Sequence, residues 1–200
     1  MLKRDRLYRR LADEAILSGR RDFTQAELAA ALHMSAGNVH RALVSLRQSG
    51  AVEVRGKRLL VHDVPKILLT WAAQRSPQQV IAGFDVEGTT HEALKMLPPG
   101  LTLTSFAGVV ERYGVEPAPL ACVRAYARPG DDRVLAALRS RFLLARNPAR
   151  ATIVIMEADD EMAETMPEVA SPAQLYVDSW WEPGVYAPDY MRAIAEAAGL

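Results

Sequence analysis

Residues 24–62 read TQAELAAALHMSAGNVHRALVSLRQSGAVEVRGKRLLVH, two short helix patterns followed by a basic hairpin. Thr24-Gln25-Ala26-Glu27 has the capping-box form, in which the Thr hydroxyl satisfies an early backbone amide and the Glu reaches back to the cap. Leu28, Ala31 and Leu32 supply the buried stripe of that helix. After His33-Met34, Ser35 is a good cap for a second helix, whose Val39, Ala42, Leu43 and Leu46 fall at i, i+3, i+4 and i+7 before Gly50 ends it. Its remaining positions, Gly37, Asn38, His40, Arg41 and Ser45, are small or hydrogen-bonding, which suits a face that approaches base edges and phosphates in a major groove. Residues 51–54 and 59–62 read as strands around Arg55-Gly56-Lys57-Arg58, a tight turn whose cations suit the phosphate backbone or the minor groove.

Upstream, Leu7, Leu11, Ala15 and Ile16 recur with helical spacing, while Arg4, Arg9, Arg10 and Glu14 fall on other faces, so a first amphipathic helix is expected to end near Ser18-Gly19. Three helices followed by a basic hairpin is the order of a winged helix-turn-helix domain, and residues 23–62 resemble that superfamily in spacing. The resemblance is carried by Leu32-His33-Met34-Ser35-Ala36-Gly37-Asn38-Val39-His40-Arg41-Ala42-Leu43, then Leu46 and Gly50-Ala51-Val52. It implies double-stranded DNA as partner, reached by Ser35, Asn38, His40 and Arg41, with Arg55, Lys57 and Arg58 on phosphates. Arg41 is the first choice among them, because a guanidinium binds a guanine edge at two points or anchors a phosphate. A winged helix serving only as a protein docking module is the alternative, and the wing cations argue against it.

The charge distribution agrees. The 200 residues are balanced at 24 basic and 24 acidic side chains, yet residues 1–66 hold 13 Lys and Arg against 7 Asp and Glu, which leaves 11 against 17 for the rest. Such a sign change is what a polyanion-binding module joined to an acidic domain would show. A domain over 1–66 and a second over 67–200 are therefore expected. Half the chain is hydrophobic and 24% charged, an ordinary globular composition. No apolar run reaches the ~18–20 residues of a membrane span, and the charged start lacks the apolar core of a secretion signal, so a cytoplasmic protein is expected. Cys122 has no second cysteine to pair with and reads as a buried structural thiol.

The second domain alternates between element types. Helices are expected at 64–73, 89–97, 105–113 and 132–142, strands at 79–84, 101–104, 120–126 and 151–156, and the last thirty residues read as helical. The expected class is α+β, an N-terminal winged helix-turn-helix domain followed by a mixed α/β domain with a small four-stranded sheet. Phosphate-cradling glycine loops, GxSxG and HExxH are absent from the chain, and His33, His40, His62 and His91 do not stand in ligand spacing. No enzyme, cofactor or metal site is expected. Glu157, Asp159, Asp160 and Glu161 are the one cluster that could hold Mg²⁺ for nucleotidyl transfer or nuclease chemistry, and a solvated acidic loop is the stronger reading. Trp180-Trp181 beside Tyr176, Tyr186 and Tyr190 reads as core packing ahead of a pocket or partner interface.

Val169-Ala170-Ser171-Pro172-Ala173-Gln174-Leu175-Tyr176-Val177-Asp178, followed after a Pro-Gly break by an Ala-rich helix through Ile194-Ala195-Glu196, is similar to the closing segment of the AbiEi-type antitoxin family. The Ser-Pro start suits a helix entry, and Gln174 and Asp178 lie one turn apart on one face. The resemblance implies a transcriptional autoregulator that binds operator repeats and accompanies a nucleotidyltransferase-like toxin. Trp180-Trp181 stand where that family would more usually continue with leucines. The leading expectation is a sequence-specific DNA-binding regulator, an autorepressor acting as a homodimer on two half-sites. The alternatives are a nucleic-acid-targeted enzyme using residues 157–161 and an antitoxin acting by direct protein contact.

Overall fold

The computed structural model describes residues 2–76 and 78–200, which divide into two compact units, residues 2–76 with 195–200 and residues 78–194. Among the described residues no helix is long and apolar enough to cross a membrane.

The first unit contains α1 (Lys3–Leu17), β1 (Asp22–Thr24), α2 (Gln25–Ala31), α3 (Ala36–Gln48), β2 (Val52–Arg55), β3 (Arg58–Val61) and α4 (Val64–Gln74). The Thr24 hydroxyl accepts from the Glu27 amide and the Ser35 hydroxyl from the Asn38 amide, so both helix starts have the expected caps. The reciprocal half of the first box is replaced, because the Glu27 carboxylate receives the Thr24 hydroxyl and pairs with Arg20. Between the helices His33 takes a left-handed φ of 48°, a conformation non-glycine side chains adopt at a cost, and the Met34 amide closes the turn on the Ala29 carbonyl at 2.9 Å. Gly50, at φ 73°, ends α3 in the same region, where a glycine carries no such penalty.

Val39, Leu43 and Leu46 bury one face of α3 among Leu7, Tyr8, Leu11, Leu59, Ile67, Leu68 and Trp71. Each such side chain contributes roughly 1.5–3 kcal/mol of burial. The buried Tyr8 hydroxyl donates to the Ala42 carbonyl at 2.8 Å, which ties α1 to α3. Arg9, expected on an open face of α1, is buried instead, since that helix packs against both α3 and α4. α4 belongs to this unit for the same reason, so the unit runs to Ser76 rather than stopping at residue 66. The hairpin pairs antiparallel from Val52 opposite Val61 to Arg55 opposite Arg58. β1, which the sequence pattern did not announce, adds a third strand on β3, in the order β1-β3-β2.

The second unit contains β4 (Val80–Asp85), α5 (Thr90–Lys95), β5 (Leu101–Thr104), α6 (Ser105–Tyr113), β6 (Val123–Ala127), α7 (Asp132–Arg139), β7 (Leu143–Leu144), β8 (Ile153–Glu157), α8 (Asp160–Thr165) and α9 (Pro172–Trp180). α10 (Ala187–Ala197) closes the chain. The sheet has five strands rather than four, in the order β5-β6-β8-β4-β7. β6 and β8 run parallel and the other pairs antiparallel. The Thr89–Glu92 capping box forms in full. Gly83 of β4 lies against the short 3-10 turn Pro148–Arg150 so closely that a Cβ there would stand 2.4 Å from the Pro148 Cα, and only glycine fits.

One polar cluster interrupts this core. The Asp178 carboxylate, on α9, accepts from the Thr104 hydroxyl at 2.5 Å, the Tyr126 hydroxyl at 2.8 Å and the Gln174 amide at 2.9 and 3.0 Å. All four side chains are buried. The expected Gln174–Asp178 adjacency is therefore real, and its role is to join α9 to β5 and β6.

Candidate nucleic-acid interface

α3 is amphipathic, with Val39, Ala42, Leu43 and Leu46 inward, so its other side is left open to solvent. Ser35, His40 and Arg41 are exposed and Asn38 is half-buried. Arg41 donates to the Asn38 side-chain oxygen at 2.5 Å, so these two form one hydrogen-bonding unit on the helix surface. Ser35 spends one lone pair on the cap and keeps its exposed position at the helix start. Val44, 39% exposed, and Gln48 continue the line from Gly37 and Arg41 at i+7 and i+11 and were not singled out from the sequence. The 3.6-residue period extended past Arg41 is the signal that would have found them.

The hairpin turn brings the second group of cations to one end of the three-stranded sheet. Gly56, at φ 60°, makes the turn with Lys57. Arg55, Lys57 and Arg58 are all exposed. Their electrostatics differ. Arg55 pairs with Glu53 at 2.7 Å, and Arg58 with Asp22 of β1. Glu53 also meets the His62 ring nitrogen at 3.1 Å, and hydrogen bonds from Arg55 and then His62 hold its carboxyl below the usual carboxylate range. Among the described residues Lys57 has no ion-pair partner, so it is the wing cation whose field is least compensated. Exposed pairs of this kind are screened by water and weak, so Arg55 and Arg58 can exchange a carboxylate for a phosphate at little cost.

A capped helix with an open polar face beside a three-stranded sheet ending in a cationic turn is the geometry of a groove-reading winged helix.

Residues 5–68 match the family model of the Crp-like helix-turn-helix domain.

The matched residues run from within α1 through the first turn of α4 and take in the whole candidate interface. The match covers about a third of the chain and supports a DNA-binding transcriptional regulator. No curated protein and no solved structure matches the chain.

The remaining candidates lie in the second unit, outside the matched residues. Asp159 caps α8, accepting from the Glu161 and Met162 amides at 3.1 and 3.2 Å, which gives the acidic run a structural use. Among the described residues no three His, Cys, Asp or Glu side chains are placed to hold one metal ion. Trp180 and Trp181, expected in the core, are 45% and 44% exposed, because the inward face of α9 ends at Ser179 and the helix stops at Trp180. Tyr190 does enter the core, stacked on Phe106.

Cys122 stands beside the buried Arg124–Glu182 ion pair, and its thiol donates to Glu182 Oε2 at 3.5 Å. Burial, and then the Glu182 carboxylate, push the thiol up to about 12, so it is neutral at pH 8. Labelling of native protein by a maleimide at pH 8 is expected to run at least ~100-fold slower than labelling in urea, since the thiolate is the nucleophile. Equal rates would contradict this placement.

Proposed function

We propose that the chain is a sequence-specific repressor that places α3 in a major groove and steadies it through the hairpin cations. The single observation that carries this reading is the open face of α3, with the Arg41–Asn38 pair, in the same unit as the uncompensated Lys57. In this reading Arg41 contacts a guanine edge or a phosphate, Asn38, His40 and Ser35 contact bases or backbone near the helix start, and Arg55, Lys57 and Arg58 contact phosphates. The protein acts as a homodimer on paired half-sites, without catalysis and without a cofactor. An AbiEi-type antitoxin role, with autorepression and a nucleotidyltransferase-like toxin encoded nearby, draws its support from residues 169–178, whose Gln174 and Asp178 anchor α9.

Selection from random duplexes with the full chain tests the reading. The expected product is one short motif repeated at half-site spacing of about one helical turn, and a reporter placed behind it is expected to be silenced when the protein is expressed. Recovery of no motif would overturn sequence specificity, and activation of the reporter would overturn repression.

A further inference from the structure

The two edges of the five-stranded sheet are treated differently. At β5 the Leu103 amide donates to the Glu168 carbonyl and the Ala170 amide to the Leu103 carbonyl, both at 2.8 Å, so the following chain covers that edge. At the other end, among the described residues, β7 pairs with β4 alone, Leu143 opposite Asp85 and Leu144 opposite Phe84, and the sheet stops. An open edge offers unpaired backbone groups to another strand, and soluble proteins commonly blunt such edges with lysine, proline or a bulge. Here the edge carries Leu143 and Leu144, 62% and 67% exposed. Consecutive strand residues point to opposite faces, so neither face of the sheet is covered at this edge.

The charges around the edge are arranged with a direction. Asp85 and Glu87 are exposed and line a groove at the Leu143 end of β7. Arg146 is exposed beyond the Leu144 end, about 7 Å further along an extended chain. Among the described residues none of these three has an ion-pair partner. Glu92, Arg139 and Arg141 also line the groove, but Glu92 is held by Thr89 and Arg141 by the Met96 carbonyl at 2.7 Å, so Arg139 alone of the lining cations is left to offset Asp85 and Glu87, and the groove stays acidic among the described residues. A strand laid antiparallel on β7 and identical to it would bring its own Arg146 end to the Asp85 and Glu87 end, and under a two-fold axis that contact occurs twice. The edge is therefore complementary in charge to itself.

We propose that two copies of this chain pair antiparallel through β7, burying Leu143 and Leu144 and placing Arg146 of each copy against the Asp85 and Glu87 groove of the other. The pairing takes its purpose from the DNA-binding reading above, since it supplies a dimer with two reading heads, but its test contains no DNA.

The test is the molar mass of the full chain in solution at tens of micromolar, by sedimentation or light scattering. Wild type is expected to be dimeric and L144K monomeric, because two like charges would then face each other across the axis. R146E and E87R are each expected to weaken dimerisation at least about tenfold. Mixed in equal amounts they are expected to restore it, because in the mixed pair both contacts again join opposite charges. All these positions are exposed, so the circular dichroism of the variants should match wild type. A monomeric wild type, a dimer indifferent to L144K, or an R146E and E87R mixture no more associated than its components overturns the proposal. A chain that dimerises in this way yet binds no duplex refutes the DNA reading alone, and a monomer that still binds duplex refutes the pairing alone.

Discussion

Replacing Arg41 and Lys57 together by glutamate (R41E/K57E) is expected to weaken binding to the preferred duplex at least ~100-fold. A well-placed guanidinium contact contributes about 1–3 kcal/mol of discrimination, and 1.4 kcal/mol is tenfold in affinity. Reversing the sign of a cation also sets a carboxylate against phosphate. Neither substitution should disturb the fold, because Arg41 is exposed and holds only the Asn38 side chain, and Lys57 sits exposed in a two-residue turn. Titration of labelled duplex, with circular dichroism as the folding control, reads the effect. Affinity within a factor of a few of wild type would mean that α3 and the hairpin turn face away from the nucleic acid.

A change of similar size, but in stability, is expected from Asp178→Ala. The carboxylate is the common acceptor for Thr104, Tyr126 and Gln174, all of them buried, so its removal takes the acceptor from the Thr104 and Tyr126 hydroxyls inside the core, while the Gln174 amide keeps the Tyr126 oxygen at 3.1 Å. Each buried polar group left without a partner costs ~1–3 kcal/mol, and loss of the shared acceptor should cost about 3–5 kcal/mol. Against a typical domain stability of ~5–15 kcal/mol, the urea transition of the second unit moves far toward zero or disappears. Tyr126→Phe removes a hydroxyl that donates to Asp178 and accepts from Gln174, but Gln174 keeps the Asp178 carboxylate, so the change should cost much less, about 1 kcal/mol. If the two variants unfolded at the same urea concentration, Asp178 would not be the hub of the cluster.

The reading head was legible because its signals are local. Thr24 and Ser35 each satisfy amides within three residues, and Val39, Ala42, Leu43 and Leu46 share a face through helical periodicity alone. The hairpin was legible for the same reason, as a glycine turn between two apolar runs. β1 was not, since three residues are too short for a pattern and their partner lies some thirty-six positions away on β3. β7 escaped likewise, being two leucines just past the helix expected at 132–142, with no pattern of their own until paired with β4. The pairing of Arg55 with Glu53 could have been foreseen, because alternate strand residues share a face, whereas Arg58 with Asp22 needed the unseen strand. Gln174 and Asp178 were placed on one face correctly, but their burial depends on hydroxyls from β5 and β6 that no local rule brings to α9. Trp180 and Trp181 were misplaced because aromatic composition argues for a core, while the stop after α9 leaves them at the surface.

The salt dependence of duplex binding reads out whether the hairpin cations lie on phosphates. In the proposed complex the uncompensated Lys57 lies on a phosphate, and each phosphate contact contributes about −0.9 to the slope of log Kobs against log salt concentration. Wild type should therefore show a steep negative slope, Lys57→Ala a slope shallower by about one, and both the same order of preference among sequences. A flat wild-type slope, or identical slopes for the two proteins, would contradict it.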